Sequence, residues 1–328
     1  MIYLESPSTD PYFNLAMEEY IFSSMDQSKQ YFMLWQNDNT IVVGKYQNTA
    51  EEINQQFVEE HGIKVARRLS GGGAVYHDRG NLNFTFIVDQ RDLSDFNFEV
   101  FVVPVIKALQ RIGVHAEFNG RNDLTINGKK FSGNSQYTKH GRILHHGCIM
   151  LDSNLTNVSD ALKVKDAKFE SKSVKSVRSR VTTINAAAPE PITMKQFKDI
   201  LKDAIAEETA LEPLMLSEVQ LAEVRELRNR KYATWEWNYG RSPAYEMRRE
   251  KKFSYGLVCV YLSTEHSRIK GLRFYGDFFG NEDLSSLEES LIGVRLGDEL
   301  KQRLLQINLE SYINGITADD LYMLIMNQ

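Results

Sequence analysis

Asn127-Gly128 stands between two runs of strand-forming residues, Asp123 to Ile126 and Lys130 to Gln136. An Asn-Gly pair accepts two successive left-handed conformations, which a two-residue turn between antiparallel strands requires. The pair therefore predicts a tight hairpin and a sheet that is at least partly antiparallel. Further strands are predicted at Tyr31 to Trp35, Thr40 to Gly44, Ile63 to Ala66, Leu82 to Val88 and Ile143 to Leu151. The first two are joined by the turn-rich Asn37-Asp38-Asn39. Asp10-Pro11 supplies an N-cap and a proline at the first position of a helix running through Ile21. A second helix is expected over Glu51 to Glu60, closed by Gly62. Phe98, Phe101, Val102, Val105, Ile106, Leu109 and Ile112 recur at helical spacing and predict a helix over residues 97 to 112. Strands outnumber helices, so the expected fold class is α+β, a large mixed sheet with helices against it, and not a doubly wound one.

Beyond residue 193 the pattern is mostly helical as far as residue 230. A second unit is expected from about residue 253. Phe253 to Leu262 and Ile269 to Tyr275 read as strands, and Leu284 to Gly293, Asp298 to Gln306 and Ala318 to Met326 as helices. The stretch 237 to 252, with Asn238, Gly240, Pro243 and many charges, is the linker candidate. The expected domains are residues 1–245 and a small α+β domain at 250–328, as a 328-residue chain allows. No apolar run approaches the roughly 20 residues that span a bilayer, and Met1-Ile2-Tyr3-Leu4-Glu5 does not open a signal peptide. Two cysteines, Cys148 and Cys259, cannot build a disulfide framework or a CxxC zinc site. These features argue against secreted, membrane and zinc-ribbon classes, and the cytoplasm is the expected compartment.

A net charge of −5 argues against a general nucleic-acid binder. The charge is unevenly spread. Residues 163 to 180 hold Lys163, Lys165, Lys168, Lys172, Lys175, Arg178 and Arg180 against Asp166 and Glu170. Residues 225 to 252 form a second basic stretch. Basic stretches in an acidic chain suit phosphates or an acidic partner, although solvated helix faces look the same.

The densest chemical signal is Arg67-Arg68-Leu69-Ser70-Gly71-Gly72-Gly73-Ala74-Val75-Tyr76-His77-Asp78, between two predicted strands. Successive glycines let backbone N–H groups approach an anion closely, and two arginines offer forked donors. It is neither a Walker A loop nor G-x-G-x-x-G, so a phosphate loop of another class is favoured. Gly120-Arg121-Asn122-Asp123-Leu124 and the hairpin ending Lys130-Phe131-Ser132-Gly133 come next. They place a lysine point charge beside small residues, and Asp123 offers a hard oxygen ligand for the Mg²⁺ that accompanies ATP. His145 and His146 are adjacent in a strand and point to opposite faces. No H-E-x-x-H exists and His61, His77, His115, His140 and His266 are scattered, so no zinc site is expected. Cys148 lies close to imidazoles as a nucleophile would, but with Ile149-Met150-Leu151 following, it reads rather as a small buried hydrophobe.

Together these segments resemble lipoate–protein ligases of the LplA type. The resemblance rests on several motifs in order. Asp10-Pro11 with Asn14-Leu15-Ala16 and Glu18-Glu19 comes first, then the segment Arg67 to Asp78 with Gly80-Asn81 and Asn83-Phe84-Thr85-Phe86. Gly120 to Leu124, Lys130 to Gly133, His146-Gly147, Ser176-Val177-Arg178-Ser179-Arg180-Val181 and Trp235-Glu236-Trp237-Asn238-Tyr239-Gly240 follow. The resemblance implies a large catalytic domain related in fold to biotin–protein ligases, with a small C-terminal accessory domain. It implies an enzyme that adenylates lipoate with ATP and Mg²⁺, then transfers the lipoyl group to a lysine of an apo lipoyl domain. That acceptor would be a dehydrogenase E2 subunit or a glycine-cleavage H protein, with no nucleic acid or membrane as partner. By the same resemblance Lys130 is the central cation touching lipoate and the α-phosphate, and Arg68 contacts the nucleotide phosphates or the adenylate. Gly73, Ala74, Val75 and Tyr76 line the ATP site, Asn81 and Asp123 help hold phosphate and Mg²⁺, and His77 and His146 lie near the acyl end.

Three rivals compete with this reading. An octanoyl or lipoyl transferase of the same fold would use a cysteine thioester without ATP, but neither cysteine lies in a Pro-Cys-Gly setting. A biotin–protein ligase would carry Gly-Arg-Gly-Arg in place of the loop seen here. A lipoyl-domain carrier without turnover would not need Lys130, Arg68 and the glycine loop together. In the resembled family the basic run at 163 to 180 closes over the adenylate, and its charge would also steer an acidic acceptor. Reversing Lys172 and Lys175 to glutamate is expected to slow transfer to the acceptor, most at low salt, more than it slows adenylate formation. Equal losses in both half-reactions, measured separately, would remove the steering role.

Overall fold

The computed structural model describes residues 1–90, 97–162, 180–239 and 247–326. The basic run expected at 163 to 180 lies outside the described residues except for Arg180. So do Ser176 to Ser179 of the motif ending at Val181, and residues 240 to 246 of the expected linker. The chain forms two compact units. The first comprises Met1–Val43, Ala50–Arg67 and Ala74–Asn238, and the second Gly44–Thr49, Arg68–Gly73 and Tyr239–Gln328.

In the first unit the strands are β1 (Ile2–Glu5), β2 (Tyr31–Trp35), β3 (Thr40–Val43), β4 (Lys64–Arg67), β5 (Val75–His77), β6 (Asn81–Asp89), β7 (Glu117–Phe118), β8 (Asp123–Ile126), β9 (Lys129–Lys139), β10 (Arg142–Met150) and β11 (Glu212–Pro213). Eight of them form a mixed sheet in the order β11-β1-β2-β6-β10-β9-β8-β7, and β4-β3-β5 form a small second sheet. The Asn127-Gly128 turn joins β8 to β9 with both residues left-handed, at φ 50° and 73°, as the two-residue hairpin requires. The expected pair β2 and β3 is separated into different sheets. Within their connection Asn37 is fully buried and accepts a hydrogen bond from Asn14 of the first helix.

The large sheet has two unlike faces. Leu82, Phe84 and Phe86 of β6, Ile143 and Ile149 of β10, and Leu124 of β8 face a dry core. That core is closed by Phe101, Val105 and Leu109 of the helix Glu99–Arg111 and by Phe197 and Leu201 of the helix Met194–Ala206. Alternation puts Asn81, Asn83 and Thr85 of β6, His146 and Cys148 of β10, and Gly133 and Ser135 of β9 on the other face. The helix Pro11–Ser24 brings Glu18 to this second face. Asp10 precedes that helix but makes no side-chain cap. Its carboxylate is instead shared by Lys64 at 3.0 Å and Arg228 at 2.8 Å. The expected helix over 51 to 60 is broken into Thr49–Glu52 and Gln55–Glu60, the second capped by Asn54.

The second unit is an antiparallel meander of β12 (Met247–Phe253), β13 (Gly256–Glu265) and β14 (Arg268–Gly276). It is covered by the helices Leu284–Leu291, Asp298–Leu305 and Ala318–Met326 around Val258, Val260, Phe274, Leu287 and Leu300. The stretch expected as a linker holds the last two residues of the helix Trp235–Asn238 and most of an edge strand. Its charges, Arg248, Arg249, Lys251 and Lys252, mark an exposed sheet edge, where charge discourages further strand pairing.

His145 tests the two-faced sheet. It faces the core, fully buried, with its ring 4.4 Å from that of Phe101 and 5.9 Å from that of Phe84. Gln136 Nε2 lies 3.2 Å from Nδ1 and Asn134 Oδ1 3.3 Å from Nε2, which suits the neutral ring protonated on Nε2. Burial, reinforced by His146, holds its pKa well below the usual 6.5. The unfolded chain takes up a proton near pH 6.5 that the folded chain refuses, so this contribution to stability is lost as pH falls below about 6.5. The slope is at most about 1.4 kcal/mol per pH unit. His145→Phe is expected to unfold at lower temperature at pH 7.5 but to show a flatter decline between pH 6.5 and 5.5. Parallel melting curves for the two proteins would contradict this.

Candidate active site

Two polar residues one turn apart in the opening helix, Asn14 and Glu18, are fully buried. Glu18 Oε1 accepts from Thr85 Oγ1 at 2.7 Å and lies 2.9 Å from His146 Nδ1. Trp35 Nε1 donates to the same Thr85 hydroxyl at 2.9 Å. The contact suits the tautomer in which His146 Nδ1–H donates to the Glu18 carboxylate. Its second oxygen, Oε2, is buried with no hydrogen-bond partner among the described residues. Asn14 Nδ2 donates to Gln36 O at 2.8 Å and to Asn37 Oδ1 at 2.9 Å, and Asn37 Nδ2 lies 3.2 Å from His77 Nδ1. The expected acyl-end residues His77 and His146 are thus both tethered to one helix.

Lys130 stands on the same polar face for a reason that strict alternation hides. Counting back from Gly133 by twos puts Lys129, not Lys130, on that face. A register shift between Leu124 and Thr125 inserts one extra residue into β9, so Lys130 pairs with Thr125 while Gly133 pairs with Asp123. The Lys130 ammonium lies 2.7 Å from Asp123 Oδ1. It also lies over Gly133, where an added Cβ would come within 2.9 Å of Nζ. The row continues through Cys148, Asn83 and Trp35 in register. Cys148 is partly exposed and faces this row, so it is not the buried core residue that the sequence suggested. Gly147, on the opposite face, has no room for a side chain: a Cβ would fall 2.3 Å from Asn134 Oδ1 and 2.5 Å from the Phe84 ring. Val181 and Thr182 run alongside β9, and Thr182 N donates to Lys130 O at 2.8 Å.

The arginine-glycine segment is built differently from the expectation. Arg67 turns its guanidinium to the carbonyls of Trp237 (2.8 Å) and Asn238 (3.0 Å), and Trp237 Nε1 returns a bond to Arg67 O. This explains the pairing of that motif with Trp235 to Asn238. Arg68 spends its fork on Ser70 Oγ, Gly71 O and Gly73 O, at 3.1, 2.7 and 2.8 Å. Both arginines were expected to offer forked donors to an anion; in the ligand-free structure both bind protein oxygens. Gly72 takes φ +88°, and a Cβ added at Gly73 would meet no atom within 4 Å, so the backbone there is open. Tyr76 is buried, with its hydroxyl donating to Asn39 Oδ1 and accepting from Asn157 Nδ2. Asn81 opens β6 with its amide on Asn83 Oδ1 at 3.1 Å.

Asp123, expected as a Mg²⁺ ligand, is the ion-pair partner of Lys130. No group of three or more His, Cys, Asp or Glu side chains that could hold a metal occurs among the described residues. Sequence reasoning missed Thr85, Gly133 as the clearing for an ammonium, and the role of Glu18. The available signal for Glu18 was its i,i+4 spacing from Asn14 on a helix otherwise rich in apolar residues.

Residues 10–206 match the lipoyl protein ligase A/B catalytic domain, and residues 242–325 match the bacterial lipoate protein ligase C-terminus. The chain is 42% identical over 318 residues to lipoate–protein ligase 1 of Staphylococcus aureus, covering 97% of both chains. Among solved structures it is similar to a lipoate-protein ligase A bound with ATP, at 27% identity and TM-score 0.64 over 73% of this chain and 98% of that one. It is also similar to the bipartite lipoate protein ligase of Thermoplasma acidophilum, studied with its E2 lipoyl domain, at 29% identity and TM-score 0.67 over 75% and 98%. With the catalytic and C-terminal family patterns matched in order along one chain, the protein belongs to the lipoate–protein ligase family.

Proposed function

We propose that this protein activates lipoate with ATP and passes the lipoyl group to one lysine of an apo lipoyl domain. A carboxylate oxygen of lipoate attacks the α-phosphorus and pyrophosphate leaves; the acceptor amine then attacks the acyl carbon, AMP leaves, and the amine loses a proton. Both steps build negative charge, first on the α-phosphate and then on the acyl oxygen, so a placed cation serves better than an acid–base pair. The observation that carries this reading is the Lys130 ammonium held over Gly133 on the polar face of the sheet.

In this reading Lys130 touches the lipoyl carboxyl oxygen and the α-phosphate. Backbone groups of Gly73, Ala74, Val75 and Tyr76 line the nucleotide, with Asn81 nearby. Arg68 serves the nucleotide by holding the loop carbonyls in place. His77 and His146, tethered to the opening helix, flank the acyl chain. Mg²⁺ has no preformed site among the described residues, because Asp123 Oδ1 lies against an ammonium in the ligand-free protein and no cluster of three or more His, Cys, Asp or Glu side chains occurs there. It enters on the triphosphate, its ordinary carrier, and no step is routed through it. The acceptors are lipoyl domains of dehydrogenase E2 subunits or a glycine-cleavage H protein. The work is assigned to the cytoplasm, where ATP is supplied; no helix among the described residues is long and apolar enough to cross a membrane. Support comes from the ATP-bound relative and from the relative studied with its E2 lipoyl domain.

Cys148 favours one second reading, an ATP-independent transferase using a thioester, because its side chain shares the row with Gly133. The two are separated by intact-mass measurement of an apo lipoyl domain incubated with the protein, lipoate and Mg²⁺, with and without ATP. One lipoyl gained only with ATP is expected, and Lys130→Ala is expected to slow pyrophosphate release about 10²–10³-fold. No gain with ATP, but transfer from an octanoyl carrier without it, would move the assignment to the transferase.

A further inference from the structure

We infer that Asp123 is the resident counter-ion of Lys130: it holds the ammonium over Gly133 in the ligand-free protein and yields it to the incoming acyl carboxylate. This rests on the ligase reading for the identity of that carboxylate, but not for the ion pair itself. Asp123 is then a positioning residue, acting through Lys130, and not a ligand for the metal.

Three features of the hairpin argue for a built contact over a chance surface pair. The first is the backbone of Asp123, which is fixed from both sides: its N–H donates to Asn119 Oδ1 at 3.1 Å and its carbonyl accepts from Asn119 N at 3.1 Å. The second is the strand opposite, pinned by Asn122 and Asn134. Asn134 N donates to Asn122 O at 2.8 Å, and each side-chain amide donates to the other's carbonyl at 3.1 Å. The third is the extra residue in β9, which turns Lys130 onto the face of Asp123, while the absence of a Cβ at Gly133 leaves the space that Nζ occupies. Platform, clearing and cation are specified together.

A lysine stem is flexible, and a free ammonium samples many rotamers. Pairing with a fixed carboxylate narrows that set to positions above Gly133. The side chains of Lys130 and Asp123 are 34% and 24% exposed, so the pair is wet enough to exchange partners. An anion arriving at Gly133 meets a cation already in place, and must compete with Asp123 for it. Placement of the cation is gained at some cost in affinity for the free acid.

The experiment compares the full-length protein with Asp123→Asn, Asp123→Glu and Gly133→Ala, each checked for an unchanged melting temperature. Acylation of the Lys130 amine by a small water-soluble activated ester is followed by peptide mass spectrometry without substrate, with Lys64 and Lys231 as internal standards. Binding of lipoate without ATP is followed by calorimetry, and pyrophosphate release is followed against Mg²⁺ concentration. In Asp123→Asn, Lys130 is expected to label about two- to fivefold faster and lipoate to bind about two- to fivefold tighter, the range for a partly exposed ion pair. The maximal rate of pyrophosphate release falls and the half-saturating Mg²⁺ stays where it was. Asp123→Glu retains the slow labelling. Gly133→Ala, whose Cβ crowds the ammonium at 2.9 Å while meeting the carboxylate oxygen only at an ordinary 3.7 Å, speeds labelling as Asp123→Asn does and keeps the test open if that variant fails to fold. A Mg²⁺ requirement raised more than about tenfold, with lipoate affinity unchanged, would make Asp123 a metal ligand and overturn the inference. No change in labelling or affinity would reduce the pair to an ordinary surface contact and overturn it too. An unaltered protein that binds no lipoate would remove the ligase reading, a failure the substrate-free labelling separates from the failure of the ion pair.

Discussion

Glu18 is a carboxylate with 1% of its side-chain surface exposed, and the arrangement of the polar sheet face follows from that burial. A buried carboxylate left without partners would cost several kcal/mol. Here Thr85 comes from β6 and His146 from β10, so the helix carrying Glu18 can sit over only one pair of strands at one height. Asn14, one turn earlier, meets the same demand through Gln36 and Asn37. The two residues act as pegs. Shifting the helix by one residue would rotate both about 100° away from their partners and leave those buried polar groups unmatched.

The pegs work because the sheet beneath has two solvents, in effect. One face is hydrocarbon and aromatic and buries even His145 as a neutral ring. The other carries amides, hydroxyls, an imidazole and a thiol. Period-two alternation produces such a division wherever apolar and polar residues take turns, and β6 and β10 do so along most of their length. The bulge in β9 breaks that alternation to functional effect, since it moves Lys130 from the side its parity dictates to the side where Asp123 waits. Charge-assisted contacts of this kind are strong only when geometry is held. The Asn119, Asn122 and Asn134 bonds hold it.

Local signals were legible where a single residue pair specifies a conformation. Asn127-Gly128 turned as expected, and His145 and His146 took opposite faces. Reading failed where a side chain had a choice of partners. Asp10 is an ordinary cap residue by sequence, yet two cations from distant segments offer its carboxylate more than one backbone N–H does. Arg67 and Arg68 looked like a pair of anion donors, but carbonyls of Trp237, Asn238 and the glycine loop lay within reach of their forks. The charged stretch near residue 250 read as a linker because charge and a proline mimic solvent exposure. An edge strand is half exposed and carries charge for its own reason.

The sequence by itself determined most of the longer elements, the alternation that divides the sheet into a dry and a polar face, and the motifs by which the family is recognised. Those depend on residues close along the chain, whose conformational preferences act before any long-range contact forms. Only the tertiary structure decided which face Lys130 occupies, that Asp123 is its partner, and that the arginines serve the protein's own carbonyls. Each of these depends on a competition among groups that the fold brings together, some of them from opposite ends of the first unit. A buried or half-buried charge settles with whichever partner the fold presents at hydrogen-bond distance, and no local pattern records that distance.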